Sequence, residues 1–121
     1  MSKLAIVGLG LIGGSMALDL KKRLKYQVYG IDKNPQHIKS ALKLGIIDKE
    51  TDFTDLKDIE VVIVAVPVNY IAEVSQKVLD NISDGALVLD VGSVKNNICE
   101  ALKKHPKRQN FVAAHPLAGT E

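Results

Sequence analysis

Apolar and polar positions along the chain follow two different periods. Leu4 to Val7 is an unbroken apolar run that closes on glycine in LAIVGLG, and it reads as a buried strand. In the segment that follows, Ile12, Met16, Leu20 and Leu24 recur every four residues, one stripe of a helix. QVYGID is a second short strand. Pro35 suits a helix start, with Asn34 as its N-cap and Ile38, Ala41 and Leu42 facing inward. Gly45 suits the end of that helix. The stretch from Ile46 to Asp58 holds a short third strand, near either Ile46–Asp48 or Thr51–Phe53. VVIVAV, Val61 to Val66, is apolar at every position, as a strand covered on both faces must be. Ile71, Val74, Val78 and Ile82 mark the next helix. ALVLDVGS is a fifth strand running into a glycine, a helix follows from about Lys95 to Lys104, and Asn110 to Ala114 make a sixth strand. Such alternation with buried strands predicts the α/β class: a doubly wound, mainly parallel sheet of about six strands with flanking helices.

Composition narrows the picture. A chain of 121 residues, 46% apolar and 25% charged with both signs mixed, is read as one globular domain, 1–121. A net charge of +2 is too small to predict a nucleic-acid surface. The basic runs KKRLK and KKHPKR sit near predicted helix C-termini, where cations belong, and no aromatic residues interleave them. The lone Cys99 forms no internal disulfide and reads as helix packing, which fits a reducing compartment. The first apolar run, about five residues, is too short for a signal peptide or a membrane span. The expectation is a soluble cytoplasmic protein, without membrane or nucleic-acid partners. No spacing of Cys, His or acidic residues suggests a metal site.

Candidate chemistry begins at the first turn. VGLGLIGG carries Gly8, Gly10 and Gly13, after a strand and opening a helix, and Asp32 follows 19 residues after Gly13 at the end of the second strand. G-x-G-x-x-G alone is weak; in that context it is a dinucleotide-binding (Rossmann) fingerprint. Gly8 allows the tight turn, Gly10 lets the backbone approach a pyrophosphate, and Gly13 lets helix and strand pack closely. The helix start, with Leu11 and Ile12, offers free N–H groups and about half a positive charge to the phosphates. Asp32 would accept hydrogen bonds from the adenosine ribose and repel a 2′-phosphate. Two like charges about 4 Å apart cost roughly 4 kcal/mol at an effective dielectric near 20, less after screening. This favours NAD over NADP, with Lys33 as a neighbouring cation that would offset part of the repulsion. Asp32 also suits a turn residue that caps the next segment.

In open α/β sheets, ligands sit beyond the carboxyl ends of the strands. The fourth strand delivers Val66, Pro67 and Val68, with Pro67 as a stiff apolar wall for a nicotinamide or adenine, or as a plain strand terminator. The fifth delivers Asp90, Gly92, Ser93 and Lys95. Ser93 either caps the following helix or orients a substrate hydroxyl or a histidine. The sixth delivers His115, on the same rim as the glycine loop. Of the other histidines, His37 reads as solvated on the second helix, and His105, beside Pro106, as complementing a helix dipole.

GLGLIGGS, AVPV, DVGSVK and HPLAGTE, in this order, resemble prephenate dehydrogenases of tyrosine biosynthesis and their arogenate-using relatives. The resemblance covers essentially the whole chain. DVGSVK and HPLAGTE together are its specific part, since the glycine motif is shared with many dehydrogenases. It implies oxidation of the C4 hydroxyl of prephenate, with hydride passed to NAD or NADP. Carbon dioxide is then lost and the ring becomes aromatic, giving 4-hydroxyphenylpyruvate. It further implies that His115 is the base or hydrogen-bond acceptor and that Ser93 holds the hydroxyl and the histidine. Thr120 and Glu121 would lie near the mouth of the substrate site. An imidazole, with an ordinary pKa near 6.5, suits proton removal from an alcohol at neutral pH and typically contributes about 10²–10⁴-fold.

The family continues into a helical second domain that forms the dimer and supplies cations for the substrate carboxylates. The expectation is that this chain is the nucleotide-binding half of a longer protein, or a naturally short chain that works with a separate partner. Alone it would bind cofactor, turn over little, and expose an apolar surface near its last strand. Two other readings stand beside this one. Another NAD(P)-dependent dehydrogenase, for a 3-hydroxy acid or an imine, has no reason to carry both specific motifs. A non-catalytic NAD-sensing module has no need of Ser93 and His115.

Overall fold

A computed structural model describes residues 2–91 and 105–113. Six strands form one parallel sheet: β1 (Lys3–Val7), β2 (Gln27–Ile31), β3 (Lys49–Glu50), β4 (Val61–Val64), β5 (Leu87–Asp90) and β6 (Phe111–Ala113). Their order across the sheet is β3-β2-β1-β4-β5-β6. Among the described residues three α-helices flank them: α1 (Leu11–Leu24), α2 (Pro35–Lys43) and α3 (Ile71–Asn81). The chain winds outward from β1 in both directions, so the topology reverses between β1 and β4, the point where such sheets form their ligand crevice.

The alternation of strand side chains assigns the two faces. Leu4 and Ile6 of β1, Val28 of β2 and Ile63 of β4 pack with Ala17 of α1 and Ile38 and Ala41 of α2. Ala5, Val7, Val62, Val64 and Val88 point the other way and pack with Ile71, Val78 and Leu79 of α3. Each aliphatic side chain so buried contributes roughly 1.5–3 kcal/mol relative to exposure. This two-sided burial explains why the central strands are apolar at successive positions.

The local signals act as their chemistry requires. Asn34 caps α2, its side chain accepting from the Gln36 amide at 3.0 Å with Pro35 at the first turn. Gly45 follows α2 with φ +74°, where a side chain would be strained. Lys21, Lys22 and Arg23 occupy the last turn of α1.

Three expectations need correction. Leu24 is 56% exposed and Leu42 is 42% exposed, so neither is buried in the core. Leu24 is the last residue of α1, about 20° from Ala17 around the helix, so its exposure comes from its place at the helix end and not from its face. The third strand is Lys49–Glu50, between the two segments considered. Both its residues are exposed, and its place is set by backbone bonds at its flanks, from Asp48 N to Val28 O at 2.7 Å and from Thr51 N to Gly30 O at 2.9 Å. The fourth strand ends at Val64, and residues 65–67 continue as irregular backbone.

His105 differs too. Its Nε2 lies 2.7 Å from Asp80 of α3, and its Nδ1 accepts from the Lys107 amide at 3.0 Å. Lys107 Nζ donates to the Ile82 carbonyl at the end of α3. This segment therefore fastens the C-terminus of α3. Asn110, buried, donates from Nδ2 to the carbonyls of Asp84 and Ala86, at 2.6 and 2.7 Å, and so fixes the approach to β6. On β6 Val112 is exposed, an apolar side chain at the sheet's edge. The expected helix over 95–104, with Cys99, lies outside the described residues. Among the described residues no helix is long and apolar enough to cross a membrane.

Candidate functional site

The site is built at the mouth of β1. Gly8 leaves the strand with φ +96°, and a β-carbon there would lie 2.7 Å from the Ala65 carbonyl oxygen. Only glycine satisfies both conditions. Gly10 is the N-cap of α1 and makes no side-chain cap. The Gly14 amide closes the first turn on the Gly10 carbonyl at 2.8 Å. The amides of Leu11, Ile12 and Gly13 precede that bond and have no intrahelical acceptor. The first turn carries no acidic residue. Among the described residues, a β-carbon on Gly10 would meet nothing within 4 Å. Gly13 instead lies directly against the loop, with its would-be β-carbon 1.9 Å from the Gly8 carbonyl oxygen.

Asp32 stands at the end of β2, its side chain only 9% exposed. Its Oδ2 accepts from the Leu9 amide at 2.7 Å, tying the strand end to the glycine loop. Its Oδ1 accepts from the Asn34 amide at 2.8 Å, which forms the turn into α2. His37 Nδ1 lies 3.0 Å from Oδ2. Burial acts to raise the Asp32 pKa, but the Asn34 and Leu9 amides and the His37 ring outweigh it and hold the carboxyl below its usual range. The ionised carboxylate only accepts, so His37 Nδ1 carries the proton between them. The ribose-acceptor and turn-capping readings of Asp32 are therefore compatible in one geometry.

Gly8, Gly10, Gly13, the amides of Leu11 and Ile12, and Asp32 lie together at the carboxyl ends of β1 and β2. Val66 joins them, since its Cγ1 lies 3.1 Å from the position of a Gly8 β-carbon. Pro67 is exposed, and its carbonyl accepts from the Tyr70 amide at 2.9 Å, in the single turn of 3₁₀ helix (Val68–Tyr70) that leads into α3. Asp90 is fully buried at the end of β5. Ser93, His115, Thr120 and Glu121 lie outside the described residues.

Sequence reasoning missed two features. His37 is not merely solvated: 46% exposed, it still bonds to Asp32. The available signal was its position on the first turn of α2, five residues after the acid. Lys33 Nζ lies 4.5 Å from the centroid of the Tyr70 ring, so this cation reaches across from the β2 side to the turn after β4.

The strand order, the glycine-lined helix start and the acid at the end of β2 are the parts of a dinucleotide site. Comparison with known proteins narrows this class. The sequence profile of the family described as prephenate dehydrogenase, nucleotide-binding domain, matches residues 16–121. Prephenate dehydrogenase of Bacillus subtilis (strain 168) is 38% identical over 120 residues, covering 95% of this chain and 32% of that protein. The Lactococcus lactis enzyme of the same name is 33% identical, over 99% of this chain and 35% of its own length. The chain thus spans about a third of the curated relatives it matches. Among solved structures, prephenate dehydrogenase from A. aeolicus, in complex with hydroxyphenyl propionate and NAD+, superimposes with a TM-score of 0.86 at 38% identity. That match covers 100% of this chain and 43% of that one. With the site's parts in place and the profile matched over most of its length, the chain belongs to the prephenate dehydrogenase nucleotide-binding domain family.

Proposed function

We propose that this chain is the cofactor-binding part of an NAD-dependent prephenate dehydrogenase, acting in the oxidative decarboxylation of prephenate to 4-hydroxyphenylpyruvate. One observation carries the cofactor assignment: among the described residues nothing lies within 4 Å of a Gly10 β-carbon at the start of α1, and the Asp32 carboxylate is tied to the same loop through Leu9. These residues fit a dinucleotide. The free amides of the first turn face a pyrophosphate, and Asp32 accepts from the adenosine ribose. The solved relative that binds NAD+ supports the same choice.

The cofactor supplies a hydride acceptor. The chain's own residues do the rest. His115 takes the proton of the C4 hydroxyl as hydride leaves C4, and Ser93 holds that hydroxyl and the imidazole. Loss of carbon dioxide then leaves an aromatic ring, so the second step is driven by the product. Thr120 and Glu121 border the substrate. These four roles rest on the resemblance of DVGSVK and HPLAGTE to the family motifs. A helical partner domain, contributing the dimer contact and cations for the substrate carboxylates, belongs to the same reading. The expected compartment is the cytoplasm.

The test is reduced-cofactor formation by the protein at its natural length, given NAD with prephenate and, separately, with arogenate. Turnover with prephenate supports the proposal, and turnover with arogenate alone would move the substrate. No turnover with either, despite NAD binding, would overturn the catalytic assignment. His115→Asn should then abolish turnover while leaving NAD binding intact.

A further inference from the structure

Asp32 is surrounded by donors. A carboxylate offers about four acceptor positions. Leu9 and His37 meet Oδ2, and Asn34 meets Oδ1, which leaves part of Oδ1 for a ribose hydroxyl. The cation adjacent in sequence, Lys33, does not share this charge, because its ammonium is over Tyr70. The group in contact with the carboxylate is His37, which is also exposed on the first turn of α2.

We propose that His37 is a specificity-determining residue of the adenosine ribose subsite, setting how strongly this site rejects a 2′-phosphate, and that Lys33 has no such role. The inference rests on the NAD reading above. Rejection of a 2′-phosphate comes from the negative charge of Asp32. A ring N–H directed at Oδ2 withdraws part of that charge, and an imidazolium withdraws more. His37 therefore softens the discrimination, whereas Lys33 spends its charge on the Tyr70 ring. Specificity is a difference between two affinities, so a change at His37 appears in the ratio of NADP to NAD dissociation constants.

The experiment is a titration of the full chain with NAD+ and NADP+ at low ionic strength, where exposed charges are least screened. His37→Ala should raise the Kd ratio (NADP over NAD) on the order of fivefold, as Asp32 loses its partner. His37→Arg, a permanent cation, should lower it by a similar factor. Lys33→Ala should leave it within about twofold of the parent. An unchanged or lowered ratio in His37→Ala overturns the proposal, as does a shift in Lys33→Ala that matches the His37 effect. Thermal unfolding of each variant separates a lost fold from a changed site. If the parent chain binds neither nucleotide, the cofactor reading itself fails. If it binds NAD+ and only the His37 effects are missing, the inference alone fails.

Discussion

A β-carbon on Gly13 would stand 1.9 Å from the carbonyl oxygen of Gly8, whereas one on Gly10, in the same motif, would meet nothing within 4 Å among the described residues. The three glycines therefore do different work. Gly8 and Gly13 hold helix and loop together, and Gly10 leaves its side-chain position open. Gly13→Ala should cost about 3 kcal/mol or more, since the obstructing atom is backbone and cannot swing aside. Gly10→Ala should leave Tm within about 4 °C of the parent, yet weaken NAD binding at least about tenfold by filling the approach to the pyrophosphate. Thermal unfolding with an NAD titration checks both. Equal destabilisation by the two substitutions would remove the distinction.

Asp32→Ala is expected to weaken NAD binding and to narrow the gap between NAD and NADP. The ribose loses its acceptor, and the 2′-phosphate loses its like charge. The Leu9 amide also loses its partner, so part of the weakening reflects a looser glycine loop. Asp32→Asn separates the contributions, because an amide oxygen still accepts a hydrogen bond without carrying charge. It should retain more NAD affinity than the alanine variant while closing the NADP gap. An unchanged gap in a binding titration with either variant would refute the electrostatic argument.

Much of this was legible in the sequence, for physical reasons that differ by element. β1 and β4 are covered on both faces, so their apolar runs were unmistakable. Glycine loop and acid were legible because each residue type answers a steric or charge requirement. β3 was not legible: Lys49 and Glu50 are polar edge residues, ordered by backbone bonds that any side chain permits. Leu42 misled because leucine is a good helix former on either face, and Leu24 because it stands at the end of α1. The Asp32–His37 contact was signalled by its spacing of five residues across the start of α2, but the spacing alone does not fix how α2 leaves β2.

Ser75 of α3 is fully buried, and its hydroxyl oxygen has no hydrogen-bond partner among the described residues. An unsatisfied buried polar group costs about 1–3 kcal/mol. Ser75→Ala removes that cost and substitutes a better helix former. The variant should be more stable by about 1 kcal/mol, seen as a higher urea midpoint at unchanged slope. A lower midpoint would mean that the hydroxyl is satisfied in solution.

Asp48 connects three elements before β3. Its Oδ1 pairs with Lys21 of α1 at 2.7 Å, its Oδ2 accepts from the Val28 amide at 2.8 Å, and Lys21 also donates to the Gly45 carbonyl at 2.9 Å. Partial burial acts to raise the Asp48 pKa, but the Lys21 ammonium and the Val28 amide outweigh it and hold the carboxyl below its usual value of 3.8. A carboxyl depressed by folding is protonated more readily in the unfolded chain. Its stabilisation is therefore complete above the unfolded value and is lost as pH falls through the lower folded value. Asp32, depressed by its own donors, acts in the same direction. Asp48→Asn should reduce stability at pH 7 and flatten its decline between about pH 5 and pH 2. Because the Lys21–Asp48 pair is about one third exposed, solvent screening keeps the effect of the charge small, about 1 kcal/mol at most. Urea midpoints at a series of pH values read this directly. A variant whose acid limb parallels that of the parent would show that the carboxylate carries none of the pH dependence.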